Sequence, residues 1–179
     1  MTKPKYVLLD AGPIIGLHAA GVWREFLYKY EVVVPETVKQ NEALFHSEDP
    51  LTGFHEPIDL DADLGAGRIR MASANSAEME TVARAFAGLL ELHEGELEAL
   101  ALLVRDTTYD DYFFCSADGA PIQAAAMIGL DERCISVEGL LSKIGLTRPL
   151  EKKYTNDFLQ RHLKEGRIAR VTRGKIKPF

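Results

Sequence analysis

The sequence predicts an α/β protein whose mainly parallel sheet is covered by helices on both faces. Three observations carry that expectation. Short apolar runs recur at 6–9, 31–34, 112–115 and 134–137. Stretches of helical spacing separate them. Two of the runs lead straight into acid-bearing turns, Asp10-Ala11-Gly12-Pro13 and Ser116-Ala117-Asp118-Gly119.

Taken in order, Tyr6 to Leu9 reads as a buried strand stopped at Asp10. Pro13 suits the first turn of a helix, where its missing N–H is not needed. Ile14, Ile15, Leu17 and His18 carry that helix to the Ala-Ala-Gly break at 19–21. A second helix is expected over 22–30, with Trp23, Phe26 and Leu27 at core spacing. A strand over 31–34 follows, and Pro35 introduces a helix to about Phe45. Residues 46–66 are irregular, with Pro50, Pro57, Gly53 and Gly65 as breakers. The alternating Asp59, Asp61 and Asp63 lack the closing Glu of an EF-hand loop and read as an exposed acidic loop. A short strand at 68–71 is followed by a helix from Asn75, paired with Glu78 as a capping box, to about Phe86. Further elements are a helix from near Glu96 to about Arg105, a strand at 112–115 and a helix over 120–128. A strand at 134–137 and a helix over 138–144 complete the order.

The 179 residues suit one domain, 1–150, with 46–90 as a variable insertion plus helix and 151–179 as a basic C-terminal helix and tail. With 46% hydrophobic and 27% charged residues the composition is that of a globular chain, not a disordered one. The net charge of −6 hides an asymmetry. From Glu151 onward nine Lys or Arg face three acids, whereas the rest carries 12 basic and 24 acidic groups. No apolar run approaches the roughly 20 residues needed to cross a bilayer, and no signal-peptide core is evident. Cys115 and Cys134 fall in or beside strands and read as buried, reduced thiols of a cytoplasmic protein.

Several chemistries are disfavoured. HEGEL at 93–97 begins like a zincin motif, but position 97 is Leu where HExxH needs His. The five His (18, 46, 55, 93, 162) are scattered, and neither phosphate-loop motif nor GxSxG occurs. Carboxylates in matching topological positions remain. Asp10 and Asp118 follow strands at what would be the same sheet edge, where α/β proteins bind ligands. Glu96 opens a helix whose N-terminus favours negative charge. Such a set, poor in His and Cys, suits Mg²⁺ or Mn²⁺. Each acid also has a plainer role as a turn, cap or surface residue. A phosphohydrolase of small esters would fit acids at strand ends, but the Asp-x-Asp of aspartyl-phosphate enzymes is absent, since position 12 is Gly.

Together YVLLDAGPIIGL, VVVPETVKQNEA, HEGELEALALL and FFCSADGAPIQAAAMIGL, in this order, resemble the PIN-domain family. The likeness is to the toxin-type branch with a Gly-Glu-x-Glu-Ala helix, and it covers about residues 5–146. It implies a three-layer α/β/α PIN-like fold and a metal-dependent endoribonuclease, in many members the toxin of a toxin–antitoxin pair. By resemblance Asp10, Glu96 and Asp118 are catalytic metal ligands for Mg²⁺ or Mn²⁺. The fourth acid falls on Asn41 or Glu42, of which Glu42 is the better ligand for a divalent ion. The implied partners are RNA, an antitoxin protein and a second copy in a homodimer. Lys152, Lys153, Arg161 and Arg167 are candidates for steering RNA toward an acidic body. The alternative is a catalytically weak or inactive module of the same fold that binds RNA or protein.

Overall fold

The computed structural model describes residues 6–48, 51, 53–105, 113–174 and 176–177. Strands β1 (Tyr6–Leu9), β2 (Glu31–Pro35), β5 (Ile69–Ala72) and β6 (Phe113–Cys115) form one sheet in the order β5-β2-β1-β6. Every pairing in it is parallel. A separate antiparallel hairpin joins β3 (Phe45–Glu48) to β4 (His55–Pro57). The expected fold class is therefore present, a parallel sheet within an α/β/α sandwich.

Strand alternation explains why the runs are apolar throughout. Val7, Leu9, Val32, Val34 and Cys115 point into one core, and Leu8, Val33 and Phe114 into the other. The first core is closed by α1 (Ala11–Ala19), α2 (Trp23–Lys29) and α7 (Val137–Lys143), through Ile14, Leu17, Phe26 and Leu140. The second is closed by α4 (Ser76–Phe86), α5 (Glu94–Arg105) and α6 (Gly119–Met127), through Phe86, Leu100, Leu103 and Ala124. The last helix, α8 (Asn156–Arg173), adds a small cluster in which its Leu159 and Leu163 meet Ile122 and Ala126 of α6. Gly166 permits this approach, because a Cβ there would meet the Gln123 backbone. Arg167 and Arg170 both pair with Asp131. The basic C-terminal region is thus packed on the domain.

Three local expectations need correction. The helix expected from Pro35 to about Phe45 is shorter: β2 runs through Pro35, and a π-helical turn at Val38–Glu42 ends before β3. Asp59, Asp61 and Asp63 are not an exposed loop. Asp59 caps the short helix α3 (Leu60–Gly65), and buried Asp63 accepts from Trp23 Nε1 at 2.7 Å and Arg68 Nε at 2.8 Å. Residues 134–137 form no strand; a single bridge links Cys134 to Phe114. Ser136 accepts from Gly139 N–H at 2.9 Å and so caps a helix that Val137 begins. Within 46–90 the expected strand and helix are present, β5 as an edge strand of the main sheet and α4 covering a face of it. The Asn75–Glu78 capping box is present as expected. Tyr112 lies outside the described residues.

Candidate functional site

Parallel strands send their carboxyl ends to one edge, and the chain leaves that edge through turns that expose polar groups. Asp10 follows β1 and Asp118 follows β6, two strands that pair directly. Asp10 N–H donates to the Cys115 carbonyl at 3.1 Å, which ties the two turns together. Gly12 completes the junction: an ideal Cβ there would lie 2.8 Å from the Ala117 Cβ, so the β1–α1 and β6–α6 turns touch only because it has none.

The other acids arrive from separate segments. Glu96 sits in the first turn of α5 and is buried, with its carboxylate accepting from the His93 N–H at 2.8 Å. Glu42 ends the π-helical turn and accepts from the Gly95 N–H at 3.2 Å. A Cβ on Gly95 would fall on the Glu42 carboxylate, so glycine at 95 is what admits Glu42. Asn41, one residue earlier, is exposed. The geometry thus separates the two candidates and turns Glu42 inward.

Asp10, Glu42, Glu96 and Asp118 line one open cavity of about 300 Å³, together with Ala11, Gly12, His93, Ala117 and Lys153. All four residues singled out from the sequence are therefore brought together. Each is also anchored by a neighbouring group. Asp10 Oδ1 takes the Ala11 N–H at 2.8 Å and its Oδ2 takes the Ser116 hydroxyl at 2.8 Å. Asp118 caps α6 by accepting from Ala120 N–H at 3.1 Å, and Ser116 Oγ in turn accepts the Asp118 N–H at 3.1 Å. The plainer cap and turn roles and the shared cavity coexist in the same side chains.

Burial and crowding act on these carboxyls in one direction. Burial is the main cause that lifts Asp10 above the ordinary carboxylate range, and Asp118 adds to it against the hydrogen bonds of Ser116 and Ala11. Glu42 is raised by burial and then by Asp10. Glu96 is pushed up to about 7, first by burial, with Asp10 and Asp118 contributing. Mutual repulsion among clustered acids is what a bound cation relieves. The donor set fits a hard divalent ion, since the lining is rich in carboxylate oxygen and contains no thiol. Among the described residues no three His, Cys, Asp or Glu groups are gathered closely enough to form a ready metal cluster.

Some contributors were not singled out from the sequence. Ser116 positions Asp10, and a hydroxyl two residues before a strand-end acid was its only signal. His93, the first residue of the incomplete zincin pattern, lines the cavity. Glu98, two residues beyond Glu96, is 3% exposed and accepts backbone N–H groups from Thr37 and Ala74. Of the four basic residues named from the sequence as candidates for steering RNA, Lys153 lines the cavity. Among the described residues no helix is long and apolar enough to cross a membrane. Comparison with protein-family models and with curated proteins finds no match to this chain.

Proposed function

We propose that this chain is a metal-dependent endoribonuclease of PIN-like type. The observation that supports this most is the convergence of Asp10, Glu42, Glu96 and Asp118 on one cavity at the carboxyl edge of the sheet. Four acids spanning more than a hundred residues of sequence are not brought together by helix capping alone. Asp10, Glu96, Asp118 and Glu42 are the residues that would hold Mg²⁺ or Mn²⁺. When bound, the ion would supply an activated water and charge neutralisation at a phosphodiester.

The chain's own residues have separate tasks in this reading. Asp10, fixed by Ala11 and Ser116, keeps its carboxylate aimed across the β1–β6 junction. Glu96, held by the His93 N–H at the start of α5, keeps its carboxylate in the cavity wall beside Asp10 and Asp118. Glu42 and Asp118 complete the anionic wall. The cavity is open, which suits a polymer better than an enclosed small metabolite.

The test is cleavage of RNA oligonucleotides by the purified protein with Mg²⁺ or Mn²⁺, and its arrest by EDTA. The Asp10→Asn, Asp118→Asn double variant is expected to lose at least about a hundredfold in rate. Undiminished cleavage by that variant would remove the assigned site. The toxin role, a cytoplasmic location and the antitoxin and homodimer partners belong to the same proposal. Growth arrest on expression, abolished by the double variant, is the outcome that supports the toxin role.

A second reading is favoured by the backbone anchors of Glu96 and Glu42: a fold that binds RNA without cutting it. It predicts no rise in melting temperature with Mn²⁺ and RNA binding insensitive to EDTA.

A further inference from the structure

Among the described residues the cavity lining contains one lysine, and it comes from a part of the chain remote from all four acids. Lys153 sits in a 3₁₀ turn, Lys152–Tyr154, immediately before α8. Three contacts fix that turn. The Tyr154 ring is 4% exposed and lies flat on Gly16 of α1, where an ideal Cβ would approach its Cζ to 2.6 Å. Asn156 N–H donates to Glu138 at 2.6 Å, and the Ser136 hydroxyl donates to the Asn156 side chain at 2.5 Å. Leu159 and Leu163 then bind α8 to α6, the helix that Asp118 caps. The backbone carrying Lys153 is therefore held by the same body that carries the acids.

Its side chain is half-exposed, and its partners are Tyr154 and Glu151 of the same short segment. Lys153 Nζ lies 3.4 Å from Glu151, whose side chain is 70% exposed, and 5.1 Å from the Tyr154 ring centroid. A pair this open to water is weak and yields readily to a better anion. The other cations of the region are differently placed: Arg167 and Arg170 are engaged with Asp131.

Charge supplies the remaining step. An anionic wall repels the phosphodiester it is to act on, so a cation placed beside that wall favours the substrate. A fixed backbone carrying a half-exposed cation in the cavity lining supplies the charge for the substrate itself. Resting on the nuclease reading above, we infer that Lys153 is a substrate-binding residue that contacts a non-bridging phosphate oxygen of single-stranded RNA at the mouth of the carboxylate cavity. The C-terminal region thus takes part in the site through one residue, not as a diffuse basic tail.

The experiment is steady-state cleavage of a fluorescein-labelled single-stranded RNA in Mn²⁺, at several salt concentrations. Lys153→Ala is expected to raise KM about tenfold, as loss of one charge-assisted contact does, with kcat nearly unchanged. The slope of log KM against log salt should fall by about 0.7, the value for one phosphate contact on a single strand. Lys153→Arg should restore most of the KM. Lys164→Ala removes an equal charge from an exposed position on α8 and should leave KM within about twofold. An unchanged KM in Lys153→Ala, or an equal rise in Lys164→Ala, overturns the role of Lys153 while leaving the nuclease reading intact. Absence of any Mn²⁺-dependent cleavage by the unaltered protein overturns the nuclease reading, and the role of Lys153 with it.

Discussion

Glu98 Oε2 accepts the backbone N–H of Thr37 at 2.8 Å across 61 residues of sequence. Its other oxygen accepts from Ala74 N–H at 3.1 Å, so one buried carboxylate pins two chain segments at once. Thr37 leads into the turn that ends at Glu42, and Ala74 leads into the Asn75 cap of α4. The carboxylate next to the site is thus a strut for it.

Removing the strut should be felt in stability first. Glu98→Ala strands two backbone N–H groups and is expected to cost about 2–4 kcal/mol. For a chain of this size that lowers the melting temperature by roughly 5–10 °C. Glu98→Gln keeps one acceptor and should fall between this variant and the unaltered protein. Thermal melts followed by circular dichroism check the order; equal melting temperatures for all three would refute the strut.

Gly95→Ala should separate fold from site. Alanine is preferred over glycine within a helix by about 1 kcal/mol, and the atoms it would meet belong to the end of a flexible side chain. The variant should melt no lower than the unaltered protein, yet Glu42 must leave the Gly95 N–H. Any Mn²⁺-induced rise in melting temperature should shrink. A full Mn²⁺ response in Gly95→Ala would show that Glu42 is not a ligand.

The fold was legible where periodicity and punctuation agree. The strands at 6–9 and 31–34 and the Asn75–Glu78 box needed only local rules. Asp10, Glu96 and Asp118 were legible because strand ends and helix starts have fixed positions in parallel sheets. Glu42 was not fixed to the residue, because one position on a regular helix is about 100° of rotation and the turn is π-helical. The acids of α3 were misread because Asp63 finds Trp23 forty residues earlier, a tertiary partner that no local pattern announces. Residues 134–137 were misread because an apolar run beside Ser136 satisfies strand and cap rules equally, and the cap bond decided it.

Protonation of the site should appear in stability. Glu96 has an ordinary value of 4.5 and is raised to about 7 by burial and neighbouring acids, so the folded state holds its proton more tightly than the unfolded state. Stability from this group is therefore greatest below about pH 4.5, declines as pH rises, and is fully lost above about pH 7. Asp10 and Glu42 are shifted in the same direction. In EDTA, Glu96→Gln should melt increasingly above the unaltered protein as pH rises through that window. Parallel melting curves across pH would refute the shift.

The Asp131 pairs give the opposite sign. Despite a burial cost, Arg167 and Arg170 hold the Asp131 carboxyl below its ordinary value. Their contribution is present above that value and is lost as pH falls through the lowered one. Asp131→Asn should lower the melting temperature at pH 7 by a few degrees, consistent with about 1 kcal/mol for partly exposed pairs, and the deficit should vanish in strong acid. A deficit independent of pH would indicate a packing defect instead.

The hydroxyl of Ser116 and the carboxylate of Asp10 are neighbours in space and 106 residues apart in the chain. During synthesis, an emerging polypeptide would carry Asp10 and Glu42 long before the ribosome reached Asp118 and Lys153. If the protein cuts RNA, its activity is withheld until the segment carrying Asp118 and Lys153 has been made, and a product terminated before that segment lacks one wall of the site.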